Sequence, residues 1–121
     1  MKRLLYLGVI FLLCSSVSCR KSQVAVFKGK LEVAGICMNY TVSLQEGNID
    51  SNLLVPQWTD SVTGLNYRNV FRLGSPCTFP AGIRQGDEFY FILDKSPQNC
   101  AVCLAYYPTP PKSLGIKVVQ P

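Results

Sequence analysis

Six cysteines and no histidine are the features of this 121-residue chain that bear most directly on chemistry. Cys14 and Cys19 lie near the N-terminus, Cys37 and Cys77 stand alone, and Cys100 and Cys103 form a Cys-Ala-Val-Cys motif. Such a motif carries thiol-disulfide exchange when it opens a helix, where the thiol pKa is depressed. Joined by a second close pair it closes a zinc site. In an oxidising compartment it supplies two half-cystines. Here the motif falls in an apolar stretch that reads as a strand, no helical pattern follows, and Cys37 and Cys77 are far apart in sequence. Structural disulfides are therefore the expectation, with a thiol-disulfide oxidoreductase or a zinc-binding protein as the alternative. The missing histidine removes the commonest general base, the commonest metal ligand and every His-dependent triad. Asp87 and Glu88 are adjacent carboxylates, but neighbours on a strand face opposite ways and make a poor acid/base pair. The residues point to no catalytic group, no metal and no cofactor.

The redox compartment is read from the N-terminus. Met1-Lys2-Arg3 is a positive start, residues 4–13 are an almost unbroken apolar run, and Ser15, Ser16 and Ser18 are small. That order is a secretory signal over residues 1–18. As a helix the apolar run would span about 15 Å, roughly half the hydrocarbon thickness of a bilayer, too little to cross it. Cleavage before Cys19 leaves five cysteines and an odd thiol, whereas acylation of Cys19 leaves an even set of four. The stretch from Leu12 to Cys19 resembles a bacterial lipobox, with Ser16 where an apolar residue is usual. The resemblance implies a diacylglyceryl group on the Cys19 sulfur and fatty acyl chains of the palmitate type.

The leader as a whole is similar to those of small lipoproteins of Bacteroidota. That resemblance implies the cell envelope of a Gram-negative bacterium. Arg20-Lys21, where acidic residues would mark export, implies a lipid-anchored domain facing the periplasm; plain secretion is the alternative. The tether of residues 19–23 reaches about 17 Å at most, so the domain would sit close to the membrane. Asp60-Ser61-Val62 resembles the O-glycosylation acceptor of the same group, with Ser61 as the modified residue.

Charge narrows the partners. The formal net charge is +5, but from Cys19 onward ten Lys and Arg face seven Asp and Glu, and Arg20 and Lys21 supply two of the remaining +3. A nearly neutral body does not suit nucleic acid, which selects clustered Lys and Arg. An apolar share of 48% and a charged share of 16% are globular values, and the length fits one domain over residues 24–121.

Within that domain period-two alternation recurs and no helical period lasts beyond two turns, so the fold is expected to be all-β. Strands are expected over residues 24–33, 39–45, 53–55, 67–73, 88–94, 100–107 and 114–118, with residues 100–107, apolar on both faces, at the centre. Residues 74–85 carry Gly74, Pro76, Pro80 and Gly82 and form a long connection pinned by Cys77. Six or seven short strands with a long linker look like a small, partly open barrel of the OB type, with a β-sandwich as the alternative. If residues 100–103 are extended, Cys100 and Cys103 lie about 10 Å apart and cannot bridge each other. Walking the strands up and down favours Cys37 with Cys100 and Cys77 with Cys103. Trp58, Tyr67, Tyr106 and Tyr107 are candidates for a ligand face, against the plainer reading of core and rim aromatics. Arg68, Arg72 and Arg84 are candidates for an anion patch, against a solvated strand face.

The sequence thus reads as a membrane-anchored, disulfide-stapled module that binds or scaffolds an unidentified protein or small ligand. A Cys19→Ala variant is expected to leave the membrane fraction, and retention there would contradict the lipid anchor. Intact mass of the protein from its own host reads acylation of Cys19 and any glycan on Ser61 in one spectrum.

Overall fold

The computed structural model describes residues 24–120. The expected signal peptide, Cys19 and the 19–23 tether lie outside the described residues. Among the described residues no helix is long and apolar enough to cross a membrane.

Alternation builds most of the strands. In β1 (Phe27–Gly35) Phe27, Leu31 and Val33 are buried while Lys28, Lys30 and Glu32 are only half-buried. The strand β2 (Asn39–Glu46) follows after a 3-10 turn. It is followed by β3 (Val55–Thr59), β4 (Asn66–Leu73), β5 (Glu88–Leu93), β6 (Ser113–Leu114) and β7 (Ile116–Val119). Pro56 lies inside β3, and β3 is the edge strand of the sheet, where a residue without an N–H costs no ladder bond.

The sheet runs β3-β4-β2-β1-β5-β7 in antiparallel order, and the two-residue β6 pairs parallel with the end of β4. Only Gly115 separates β6 from β7. One short segment therefore touches β4 on one flank and β5 on the other, which bends the sheet into a small, partly open barrel. This is the all-β barrel that the sequence suggests. The arm formed by β3 and the first half of β4 stands outside the ring, and Asn69 at φ 51° interrupts β4 where the arm leaves it.

The interior is aromatic. Phe91 is fully buried, with ring centroids 5.6 Å from Phe27 and 5.9 Å from Phe71 and Phe89, and Leu31, Val42, Leu54, Leu73, Phe79 and Ile116 complete the same cluster. Burying one such ring contributes about 2–3 kcal/mol. Sequence alternation predicts the opposite face of β2 to be solvated, yet Thr41 and Ser43 are buried together with Val33 and Val70. Register sets Thr41 between Val33 and Arg72, and Ser43 opposite Val70. The chain over residues 107–110 reaches this outer side: the Tyr107 ring packs on Gly35 and Pro110 is fully buried. A Cβ on Gly35 would lie 2.8 Å from that ring, so the approach requires glycine.

Two expectations are overturned together. Residues 100–107 are not a central strand; they form an irregular loop in which Val102, Leu104 and Tyr106 are 45%, 97% and 82% exposed. The disulfides are Cys37–Cys103 and Cys77–Cys100, not Cys37–Cys100 and Cys77–Cys103. The reason lies in the barrel. Because Arg72 pairs with Thr41, β4 ends beside the start of β2, and the turn carrying Cys77 rises on the same rim as the turn carrying Cys37. Chain leaving β5 meets Cys77 first and Cys37 second. Cys100 and Cys103 do not bridge each other, in line with the expectation.

Non-reducing peptide mapping should join Cys37 to Cys103 and Cys77 to Cys100. The bridges span 66 and 23 residues, so loop entropy gives them about 4 and about 3 kcal/mol. Removing the first pair as Cys37→Ala/Cys103→Ala is expected to lower the urea midpoint more than Cys77→Ala/Cys100→Ala, and the reverse order would contradict that account.

Candidate functional site: a groove at the barrel rim

The turn between β1 and β2 sets one wall of the site. Cys37 and Met38 both adopt left-handed backbone, φ 58° and 60°, which costs an ordinary residue about 1–2 kcal/mol each. The Cys37–Cys103 bridge and Asn39 hold the turn in place. The Asn39 amide donates to Ile36 O at 2.7 Å and to Ala105 O at 2.9 Å, tying the turn to the loop that faces it. On the second wall, Cys77 N donates to Gln98 Oε1 at 3.0 Å and Cys100 N donates to Cys77 Sγ at 3.2 Å. The loop of residues 98–106 is thus fastened at two points to the rim without belonging to the sheet.

Between loop and rim lies a groove of about 440 Å³. Met38, Leu73, Val102, Leu104 and Tyr106 give it apolar walls, and Arg72 is the one charged side chain among its lining residues. All seven acidic residues of the chain are committed elsewhere. Glu46 and Glu88 pair with Lys28, and Glu32 pairs with Lys30. Asp50, Asp60, Asp87 and Asp94 accept local N–H bonds in turns. Glu88 is the first cause that lifts Lys28 above its ordinary pKa, through a hydrogen bond and then through its charge.

A second cluster sits at the tip of the β3–β4 arm. Asp60 is fully buried, accepts the Tyr107 hydroxyl at 2.6 Å and the Val62 N–H at 2.8 Å, and its own N–H donates to Leu65 O. Burial is the largest influence on its carboxyl and opposes ionisation. The Tyr107 hydroxyl, the Val62 and Thr63 N–H groups and the Thr63 hydroxyl together outweigh it and hold the pKa below the usual aspartate value. The same bond to Asp60, followed by burial and the Asp60 charge, pushes the Tyr107 phenol up to about 12. Trp58 and Tyr67 stack beside this cluster with centroids 6.0 Å apart, and burial, then Glu32 and Asp60, raise the Tyr67 phenol.

The four candidate aromatics therefore divide. Trp58, Tyr67 and Tyr107 gather around Asp60, and the Tyr107 hydroxyl is committed to it, whereas Tyr106 lines the groove. Ser61 is exposed on the turn that buried Asp60 braces. The three arginines also part: Arg72 lines the groove, Arg68 lies on the arm, and Arg84 precedes the turn into β5. Sequence reading missed Met38, Asn39, Gln98 and Leu104 as site residues, and missed Asp60 as the anchor of Tyr107. Only Asp60 carried a local signal, as an acidic residue four positions before Gly64 in a turn-rich stretch.

No group of three or more His, Cys, Asp or Glu among the described residues could hold a metal ion, and all four described cysteines are in disulfides. The chain matches no family model, no curated protein and no solved structure. Fold and rim define its class: a disulfide-stabilised module in a small β domain.

Because the Asp60 pKa is lowered by folding, its contribution is complete above the ordinary carboxylate range and is lost as pH falls through the lowered value. The thermal midpoint is expected to hold from neutral pH to about pH 5 and to drop below about pH 4. Asp94, held down by Ser96, titrates in the same direction as background. Asp60→Asn and Tyr107→Phe should both lower the midpoint at neutral pH and shrink the acid loss; an unchanged acid limb in Asp60→Asn would overturn the assignment.

Proposed function

We propose that the chain is a membrane-anchored periplasmic lipoprotein, held through Cys19, whose barrel presents the rim groove to a partner and performs no catalysis of its own. The observation that carries this reading is Leu104, 97% exposed on a loop that two disulfides fasten to the rim. An aliphatic side chain held in water by covalent bonds gains nothing for the fold. It does gain on association, since a loop ordered in advance loses little entropy when it binds. Val102 and Tyr106 extend the same apolar surface, and contiguous exposed apolar surface marks interaction sites.

Position supports the reading by analogy of fold. In OB-type barrels ligands bind on the second and third strands between the loop after the first strand and the loop before the last. The groove lies between the β1–β2 turn and the β5–β6 connection, beside β2 and β4. Anchoring through Cys19, the periplasmic address and a glycan on Ser61 rest on the leader and on Asp60-Ser61-Val62. Oxidoreductase chemistry is disfavoured because Cys100 and Cys103 bond to separate partners rather than to each other.

A photoreactive phenylalanine analogue placed at position 104 or 106 of the full chain in its own host should give a discrete crosslinked adduct. The same group at exposed Lys95 should not. Equal labelling at all three positions, or none at 104 and 106, would overturn the binding reading.

A further inference from the structure

The groove's chemistry specifies more than an apolar contact. Arg72 is its single charged lining residue, makes no ion pair among the described residues, and faces no acidic residue in the lining. Its backbone is fixed on both sides, opposite Thr41 on β2 and beside Ser113 on β6, with its N–H donating to Lys112 O at 2.8 Å. A guanidinium on a rigid strand next to apolar walls is a carboxylate receptor without its carboxylate, and arginine binds that group through two parallel hydrogen bonds.

Resting on the binding reading above, we propose that the groove receives an extended peptide segment of a partner protein, one that places a carboxylate on Arg72 and aliphatic side chains against Met38, Val102 and Leu104. Charge complementarity selects the acidic group. The walls select the rest: aliphatic Met38, Val102 and Leu104 stand beside polar Asn39, Gln98 and Ser113, a mixture that suits a peptide, and Tyr106 is the one aromatic ring, whereas stacking on bases uses aromatic platforms. The concave shape favours an inserted segment over a flat lipid surface.

The test is selection followed by substitution. Random peptides displayed on phage are panned against the oxidised, detergent-solubilised full chain, and the selected peptides are synthesised and titrated. The expected outcome is enrichment of sequences with Asp or Glu flanked by Leu, Ile or Val. Their affinity should fall about tenfold or more in Arg72→Gln, fall less in Arg72→Lys and stay unchanged in Arg84→Gln. Leu104→Ser, at a fully exposed position that leaves the fold intact, should also weaken binding about tenfold. Peptides without acidic residues that bind Arg72→Gln as tightly as the parent would overturn the carboxylate assignment while leaving the groove in place. Failure to select any peptide, or binding indifferent to both Leu104→Ser and Tyr106→Ser, would overturn the groove reading itself. Sedimentation of Cys19→Ala with phosphatidylethanolamine–phosphatidylglycerol vesicles, abolished by Leu104→Ser, would assign the surface to lipid and overturn the peptide proposal.

Discussion

Two covalent bonds hold in place a stretch of chain that burial alone would not. Val102, Leu104 and Tyr106 are largely exposed, and the loop has few hydrogen bonds to the sheet beyond those of Asn39 and Gln98. Without Cys37–Cys103 and Cys77–Cys100, only those few hydrogen bonds would resist its collapse onto some other apolar surface. The bridges also brace a turn whose backbone is itself unfavourable, with Cys37 and Met38 both left-handed. Groove, turn and loop form one unit, and its stability is imported from covalent chemistry rather than from the barrel core.

The rest of the molecule supplies the frame for that unit. A small core built around Phe91 fixes β1, β2, β4 and β5, and the short β6–β7 segment draws the two flanks together. The connection from β5 back to β6 is long because it has two tasks. Residues 98–106 make the outer wall of the groove, and residues 107–110 then cross the outer side of the sheet, where Tyr107 meets Asp60. A buried carboxylate is costly unless its hydrogen bonds are complete, and Asp60 is completed by the Tyr107 hydroxyl and by N–H groups of its own turn. The arm of β3 and β4 is thereby tied to the same loop as the groove.

Much of this was legible in the alternation of residue types. Alternation located β2 over residues 39–45 and β5 over residues 88–94, each within a residue of its observed bounds. The same logic failed where burial does not follow period two. Thr41 and Ser43 look solvent-facing on a strand, but both are buried, and the Ser43 hydroxyl is bonded to Glu32 and Gln45. Residues 100–107 look like a buried strand because they are apolar at nearly every position, and local sequence contains no term for a loop kept apolar at a rim.

By itself the sequence determined the all-β class, the core strands, the absence of histidine chemistry and the even number of cysteines in the body, because each of these depends on composition or on neighbours within a few residues. Which cysteine meets which was decided only by tertiary structure, since it depends on the pairing of β4 with β2, and that pairing sets both turns on one rim. The isolation of Arg72 as the one charged residue of the groove lining is of the same kind. An arginine's lack of an acidic partner is a property of the space around it, and that space is enclosed by residues far apart along the chain.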